Sequence, residues 1–341
     1  MKTKIISISI LTLCFLSLVV GIVNTSVKTV ESEKKSEQSS AGFLKGFSSS
    51  RQDKIALISM QGPISADESS SLIGEPDSAE GALKALERAI DDTSVKGVVL
   101  RINSPGGTVA MSQEIYQTVR RLRDKKPVVV SMADVAASGG YYTASAADRI
   151  YADPGTLTGS IGVIMGTLNV QELMTQKLGV KSVVIKSGKF KDTGSMYREM
   201  RPDEQELLQN LVNSAYQQFL GAITDGRIKR TDNYKVDKVA LTEQILKEYA
   251  DGRVLTGEQA LKLGFVDNLG GLYEAKSGIR KMAHQKFPSV SENISVTPYN
   301  KPTGFSQMLF GATETIMPHK NLESLMPLSL NYPRQPLFMW E

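Results

Sequence analysis

Ser138 stands in the run Val135-Ala136-Ala137-Ser138-Gly139-Gly140-Tyr141-Tyr142, between an apolar segment and a stretch of helical pattern. A serine at such a junction has unpaired backbone N–H groups beside it, and its small neighbours leave room for a carbonyl group. That combination suits nucleophilic acyl chemistry, with the N–H of Gly139 aimed at a developing oxyanion. It also suits a plain helix N-cap, the commoner use of serine at a helix start. Asn103-Ser104-Pro105-Gly106-Gly107-Thr108 follows a second apolar run. Its paired glycines admit backbone geometry closed to other residues, and Gly107 offers a second oxyanion N–H. An ordinary strand-to-helix turn explains the same residues. A phosphate loop would need a Gly-Lys-Ser/Thr ending, which is missing.

A serine nucleophile needs a base. The two histidines are His284, in a late polar segment, and His319, in a proline-rich stretch, and neither sits in a catalytic or metal-binding spacing. Carboxylates are numerous and stay open as candidates. The remaining option is a lysine held neutral by desolvation, so that it can take the serine proton. Ser187-Gly188-Lys189-Phe190-Lys191-Asp192 supplies two lysines. Lys191 is the first choice, but chemistry alone does not dismiss Lys189. Asp192 would oppose a neutral amine if its carboxylate faced Lys191. The single cysteine, Cys14, rules out an internal disulfide and a Cys-built metal centre, and two histidines cannot make a His-rich one. No metal or other cofactor is expected.

The elements that must position these residues alternate in type. Ile55–Met60, Val98–Ile102 and Pro127–Met132 are short apolar runs bounded by turn residues, the pattern of buried strands. Ile150–Ala152, Ile161–Met165 and Val183–Ile185 are shorter runs of the same kind. Helical spacing marks Ala79–Ala89, Met111–Leu122, Tyr141–Ala147 and Gln171–Lys177. It also marks the long stretch Pro202–Asp225 and the shorter Gly257–Leu263 and Tyr273–Met282. Strands alternating with helices predict an α/β fold with a largely parallel sheet.

The flanks differ in character. Ile5 to Val23 carries no charged residue and approaches the length of a membrane-spanning helix. Val20-Gly21-Ile22-Val23 lacks the small-x-small exit of a cleaved signal, and Leu13 before Cys14 does not suit a lipoprotein, so an uncleaved anchor over residues 1–24 is expected. Residues 25–52 are rich in Ser, Lys and Glu and predict a flexible linker. One folded domain is expected over 53–287. From 288 to 341 scattered prolines predict an irregular tail, whose apolar end, Leu337-Phe338-Met339-Trp340, could occupy a substrate groove. The net charge of +4 is spread without a basic block, so nucleic acid is not an expected partner.

Four segments in order carry a specific resemblance: Asn103-Ser104-Pro105-Gly106-Gly107, Ala136-Ala137-Ser138-Gly139-Gly140, Leu157-Thr158-Gly159-Ser160-Ile161-Gly162 and Ser187-Gly188-Lys189-Phe190-Lys191-Asp192. The chain closely resembles the bacterial signal peptide peptidase A family over about residues 54–282, in its short, single-block form. The resemblance implies a Clp protease/crotonase-like fold of repeated β-β-α units preceded by one transmembrane helix. It implies Ser138 as nucleophile, Lys191 as base, Ser160 orienting the lysine, and Gly107 and Gly139 as oxyanion donors. It further implies a homo-oligomer in which serine and lysine meet across a subunit boundary, a bacterial membrane location with the catalytic domain extracytoplasmic, and cleaved signal peptides as substrates. Two competing expectations are a crotonase-like acyl-CoA enzyme and a catalytically silent peptide-binding scaffold.

Overall fold

The computed structural model describes residues 52–66, 76–229, 234, 239–300 and 337–339. The expected membrane span, Ile5 to Val23, and most of the linker lie outside them. Among the described residues no helix is long and apolar enough to cross a membrane.

Three parallel strands form the centre: β1 (Lys54–Gln61), β2 (Val95–Ser104) and β4 (Val128–Ala137). Their apolar runs are continuous because both faces are covered. Alternate residues face opposite ways, as the two-residue period of a strand requires. Ala56, Ile58, Val98, Leu100, Val128 and Val130 join one core with helices α1 (Ala79–Asp91) and α2 (Val109–Lys125). Ile55, Val99 and Val129 join a second core with Ala275, Ile279, Met282 and Ala283 of the late helix Leu272–Lys286. Helix α1 begins where Ser78 Oγ accepts the Gly81 N–H at 3.1 Å, a side-chain N-cap.

The remaining elements follow in chain order. Strand β3 (Gly106–Thr108) precedes α2. After β4 come α3 (Gly139–Ala144), β5 (Arg149–Ala152), β6 (Leu157–Gly159), α4 (Pro202–Ile223), α5 (Glu243–Tyr249), β7 (Val254–Thr256), α6 (Gly257–Leu263), β8 (Asn268–Leu269), α7 (Leu272–Lys286), β9 (Ser295–Pro298) and β10 (Leu337–Met339). The main sheet runs β7-β6-β4-β2-β1-β9, with β5 on the first half of β4 and β8 beside β5. All its pairings are parallel except β6 with β7. This is the parallel α/β architecture that the alternation of elements predicts.

Three stretches depart from the sequence reading. Ile161–Met165 leaves the sheet with only Ile161 fully buried, and Val183–Ile185 forms no strand, with Ile185 98% exposed. An apolar run becomes a strand only where a neighbour supplies backbone partners, and none reaches Val183–Ile185 among the described residues of this single chain. Gln171–Lys177 forms one short helical stretch ending in a wide turn over Leu173–Lys177. Within the region expected to be irregular, Ser295–Pro298 extends the sheet edge at β1, and Leu337–Met339 pairs with β3.

Candidate active site

The site begins with a fault in the sheet. Along β2 and β4 the pairing passes from Ile102↔Met132 to Ser104↔Ala136, so β4 carries two extra residues over that interval. Such a bulge frees backbone groups that must find other partners. Asn103 Oδ1 accepts the Val135 N–H at 3.2 Å, Thr156 Oγ1 donates to the Ala133 carbonyl at 2.7 Å, and Arg101 Nη1 donates to the Met132 carbonyl at 2.9 Å. Beyond the bulge, β4 exchanges β5 for β6 and ends at Ala137. The bulge therefore aims the strand end that carries Ser138.

Ser138 has φ 53° and ψ −115°. Ser138 and Ser160, at φ 49°, are the non-glycine residues with positive φ among those described. Such backbone is strained for a side-chain-bearing residue and persists only where the surroundings hold it. The Ser138 N–H donates to the Gly159 carbonyl at 2.8 Å, and the Ser160 N–H donates to the Arg253 carbonyl at 2.8 Å. The Ser138 carbonyl accepts the Tyr142 N–H at 2.8 Å and starts α3.

Capping does not explain Ser138, because its side chain makes no cap hydrogen bond. Its Oγ is buried without a hydrogen-bond partner among the described residues. A buried polar atom left open is costly and calls for a reason, and a chemical role for the hydroxyl is one. Helix α3 beneath it is held firmly. Tyr141 Oη donates to the Phe265 carbonyl at 2.9 Å, and the Tyr142 ring packs on Phe219 and Tyr116 at 5.0 and 5.1 Å. Burial raises the Tyr142 phenol to about 12, so it stays neutral at ordinary pH.

The Gly107 turn lies beside this one. Ser104 pairs with Ala136, and its Oγ accepts the Gly106 N–H at 3.1 Å. Ile64 clasps β3 from one side, donating its N–H to the Gly106 carbonyl and accepting from the Thr108 N–H at 2.8 and 2.7 Å. A Cβ on Gly107 would fall 2.0 Å from the Ile64 oxygen, so only glycine fits. Because N–H and C=O groups alternate in direction along a strand, those of Gly107 point away from Ile64. That opposite edge is where Leu337–Met339 lies, antiparallel, with Phe338 opposite Gly107.

Ser138, Gly139, Gly107 and Ser160 are thus gathered by β4, β3 and β6. Lys191 is not among them. It lies on an exposed loop, and the serine hydroxyl has no partner from its own chain among the described residues. The two lysines of that loop differ. Lys189 Nζ is engaged by Asp203 at 2.6 Å, whereas the Lys191 side chain forms no ion pair or hydrogen bond among the described residues. Sequence reasoning missed Asn103, which holds the bulge. An asparagine at a strand end is a signal for such a side-chain-to-backbone bond, but its partner 32 residues away was not legible.

Known families and proteins match this chain in sequence. The model of peptidase family S49 matches residues 120–286, and that of Clp protease matches 75–154. A candidate protease of Synechocystis sp. is 40% identical over 237 residues, covering 70% of this chain and 77% of that protein. A candidate signal peptide peptidase SppA of Enterococcus faecium is 33% identical, over 76% of this chain and 70% of that protein. Protease 4 of Haemophilus influenzae is 33% identical over 72% of this chain, which spans 37% of that longer protein. The chain belongs to the signal peptide peptidase A branch of peptidase family S49, within the Clp protease/crotonase-like superfamily, and is a serine peptidase.

Proposed function

We propose that the protein is a membrane-anchored endopeptidase that cleaves extended apolar peptides with a Ser138–Lys191 dyad, the lysine coming from a neighbouring copy of the chain. The observation that carries this reading is the antiparallel pairing of Leu337–Met339 with Gly106–Thr108. It places an extended peptide on the edge that bears Gly107, beside the turn of Ser138. Strand addition of this kind binds main chain through hydrogen bonds and leaves side chains to select among peptides.

The reaction uses these residues in turn. Neutral Lys191 takes the Ser138 proton, and Oγ attacks the substrate carbonyl carbon. The N–H groups of Gly107 and Gly139 receive the oxyanion, while Ser160 Oγ orients the amine. The lysine ammonium then protonates the leaving amine, and water, activated by the same amine, releases the acyl group. Exposed apolar residues in the stretch before Lys191 support the shared dyad. Leu168, Leu173, Leu178, Val183 and Ile185 are exposed along the approach to Lys191, with Val183 83% exposed. A second copy covering this apolar surface would remove it from water and carry Lys191 with it. The uncharged Ile5–Val23 stretch supplies the anchor, and the catalytic domain then lies on the extracytoplasmic side of a bacterial membrane. Signal peptides left after cleavage are apolar and released into that membrane, which makes them the fitting substrates.

The test uses Ser138→Ala, Lys191→Ala and Lys189→Ala on a quenched apolar peptide. The first two should lose at least about a thousandfold in kcat/KM, and Lys189→Ala should keep most of it. Ser138→Ala and Lys191→Ala chains, dissociated and reassembled together, should recover up to about a quarter of wild-type activity, because random mixing rebuilds that share of boundaries. Activity surviving in Lys191→Ala would overturn the base, and a mixture that stays silent would place both residues in one chain.

A further inference from the structure

The loop that carries Lys191 is crowded with charge. Asp192, its immediate neighbour, is held from two sides. Lys186 Nζ pairs with Asp192 Oδ1 and also donates to the Lys189 carbonyl at 3.1 Å. Arg198 Nε donates to Asp192 Oδ2 at 2.9 Å, and its Nη2 donates to the Asp192 carbonyl at 3.0 Å. The same guanidinium grips Glu204, through Nη1 to Oε2 at 2.8 Å and Nη2 to Oε1 at 2.6 Å. Glu204 is fully buried in the first turn of α4. It also accepts the Arg201 N–H at 3.0 Å and the Thr193 hydroxyl at 3.3 Å. A buried carboxylate satisfied on both oxygens is a rigid anchor, and the planar fork of Arg198 links it to the loop.

The consequence for the base is electrostatic. A carboxylate next to an amine favours the charged ammonium, which cannot accept a proton from serine. Here both Asp192 oxygens already face cations. Around Lys191 the loop and the start of α4 present Lys186, Lys189, Arg198 and Arg201 with Asp192, Asp203 and Glu204 in ion pairs, and the exposed Glu199 and Glu206 beside them. Asp192, the carboxylate next in the chain to Lys191, is thus already engaged by two cations and is not left over for its amine.

We propose that Arg198 is a positioning residue for the base. By sharing Asp192 with Lys186 and anchoring it to the buried Glu204, it presents the Lys191 amine to the neighbouring active site without Asp192 as its counter-ion. This inference rests on Lys191 being the base.

The experiment measures kcat/KM against pH on the same peptide for the full-length wild type, Arg198→Gln, Arg198→Lys, Arg198→Gln/Asp192→Asn, Asp192→Asn and Lys191→Ala. With Arg198→Gln, Asp192 keeps Lys186 on Oδ1 but its Oδ2 is released to pair with the amine. The ascending limb should move up by about one pH unit, with about a tenfold loss at neutral pH that recovers in base. Arg198→Lys should lie between, and adding Asp192→Asn should bring the limb back. Asp192→Asn alone should lower activity by loosening the loop yet leave the limb in place, which keeps the test intact even if Arg198→Gln folds poorly. An equal loss at every pH, unrelieved by Asp192→Asn, would overturn the proposal. So would a limb that moves down in Asp192→Asn alone, since Asp192 would then act on the amine in the native protein. Activity surviving in Lys191→Ala would instead sink the assignment of the base, a separate failure.

Discussion

The backbone N–H of Ser138 donates to the carbonyl of Gly159 at 2.8 Å, which fastens the nucleophile's turn to the residue before Ser160. Both serines sit at positive φ, 53° and 49°. Each such residue costs about 1–3 kcal/mol, and the hydrogen bonds to Gly159 and Arg253 hold the pair in place. Two strained serines joined through one peptide unit form a turn whose shape serves chemistry more than stability.

The strain at Ser138 is measurable. Ser138→Gly and Ser138→Ala should both be inactive, but glycine tolerates φ 53° and alanine does not. Ser138→Gly is expected to be more stable than Ser138→Ala by about 1 kcal/mol, or roughly 2–4 °C in Tm. Thermal melts of the two purified variants side by side check this, and equal melting temperatures would show that the turn stores no strain.

Gly107 has no room for a side chain. Gly107→Ala would set a Cβ 2.0 Å from the Ile64 oxygen and 2.6 Å from its nitrogen, forcing β3 and Ile64 apart and displacing the Gly107 N–H. A stability loss of about 2 kcal/mol and at least about a hundredfold loss in kcat are expected. Gly155→Ala is the control, since a Cβ there meets nothing within 4 Å. Denaturant melts and initial rates of both variants measure the contrast.

The strand at Leu337–Met339 occupies the edge on which a substrate would lie. Deleting residues 332–341 should lower the apparent KM for peptides by about three- to tenfold with kcat unchanged, because a tethered competitor is removed. A synthetic peptide of residues 332–341 should then inhibit the truncated protein competitively. Identical KM values with and without the tail would take it out of the groove.

Hydrogen bonds from Arg198 hold the Glu204 carboxyl at about 2, well below its ordinary 4.5. A depressed folded value means that the stabilisation is complete above about 4.5 and is lost as pH falls toward 2. Glu204→Gln should therefore melt below wild type at pH 7, with the gap narrowing steadily below pH 4.5. Melting curves over that range test it, and a gap that does not change with pH would mean that packing, not charge, is what the substitution removes.

The sequence by itself determined the strands β1, β2 and β4, because runs buried on both faces need unbroken apolar residues. It also determined helices α1, α2, α4 and α6, whose caps and spacing are local. The order of Gly107, Ser138, Ser160 and Lys191 pointed to the peptidase family through motifs rather than through contacts. Tertiary structure alone decided what depends on partners distant in the chain. The two-residue bulge of β4 exists because Asn103, Thr156 and Arg101 satisfy the groups it frees. The apolar run Val183–Ile185 fails to become a strand because no neighbour among the described residues meets it, while Leu337–Met339 becomes one because the edge of β3 does. Ser138, a plausible N-cap by its neighbours, proved to be a strained residue whose hydroxyl has no partner among the described residues, and strain is set by the surroundings that enforce it.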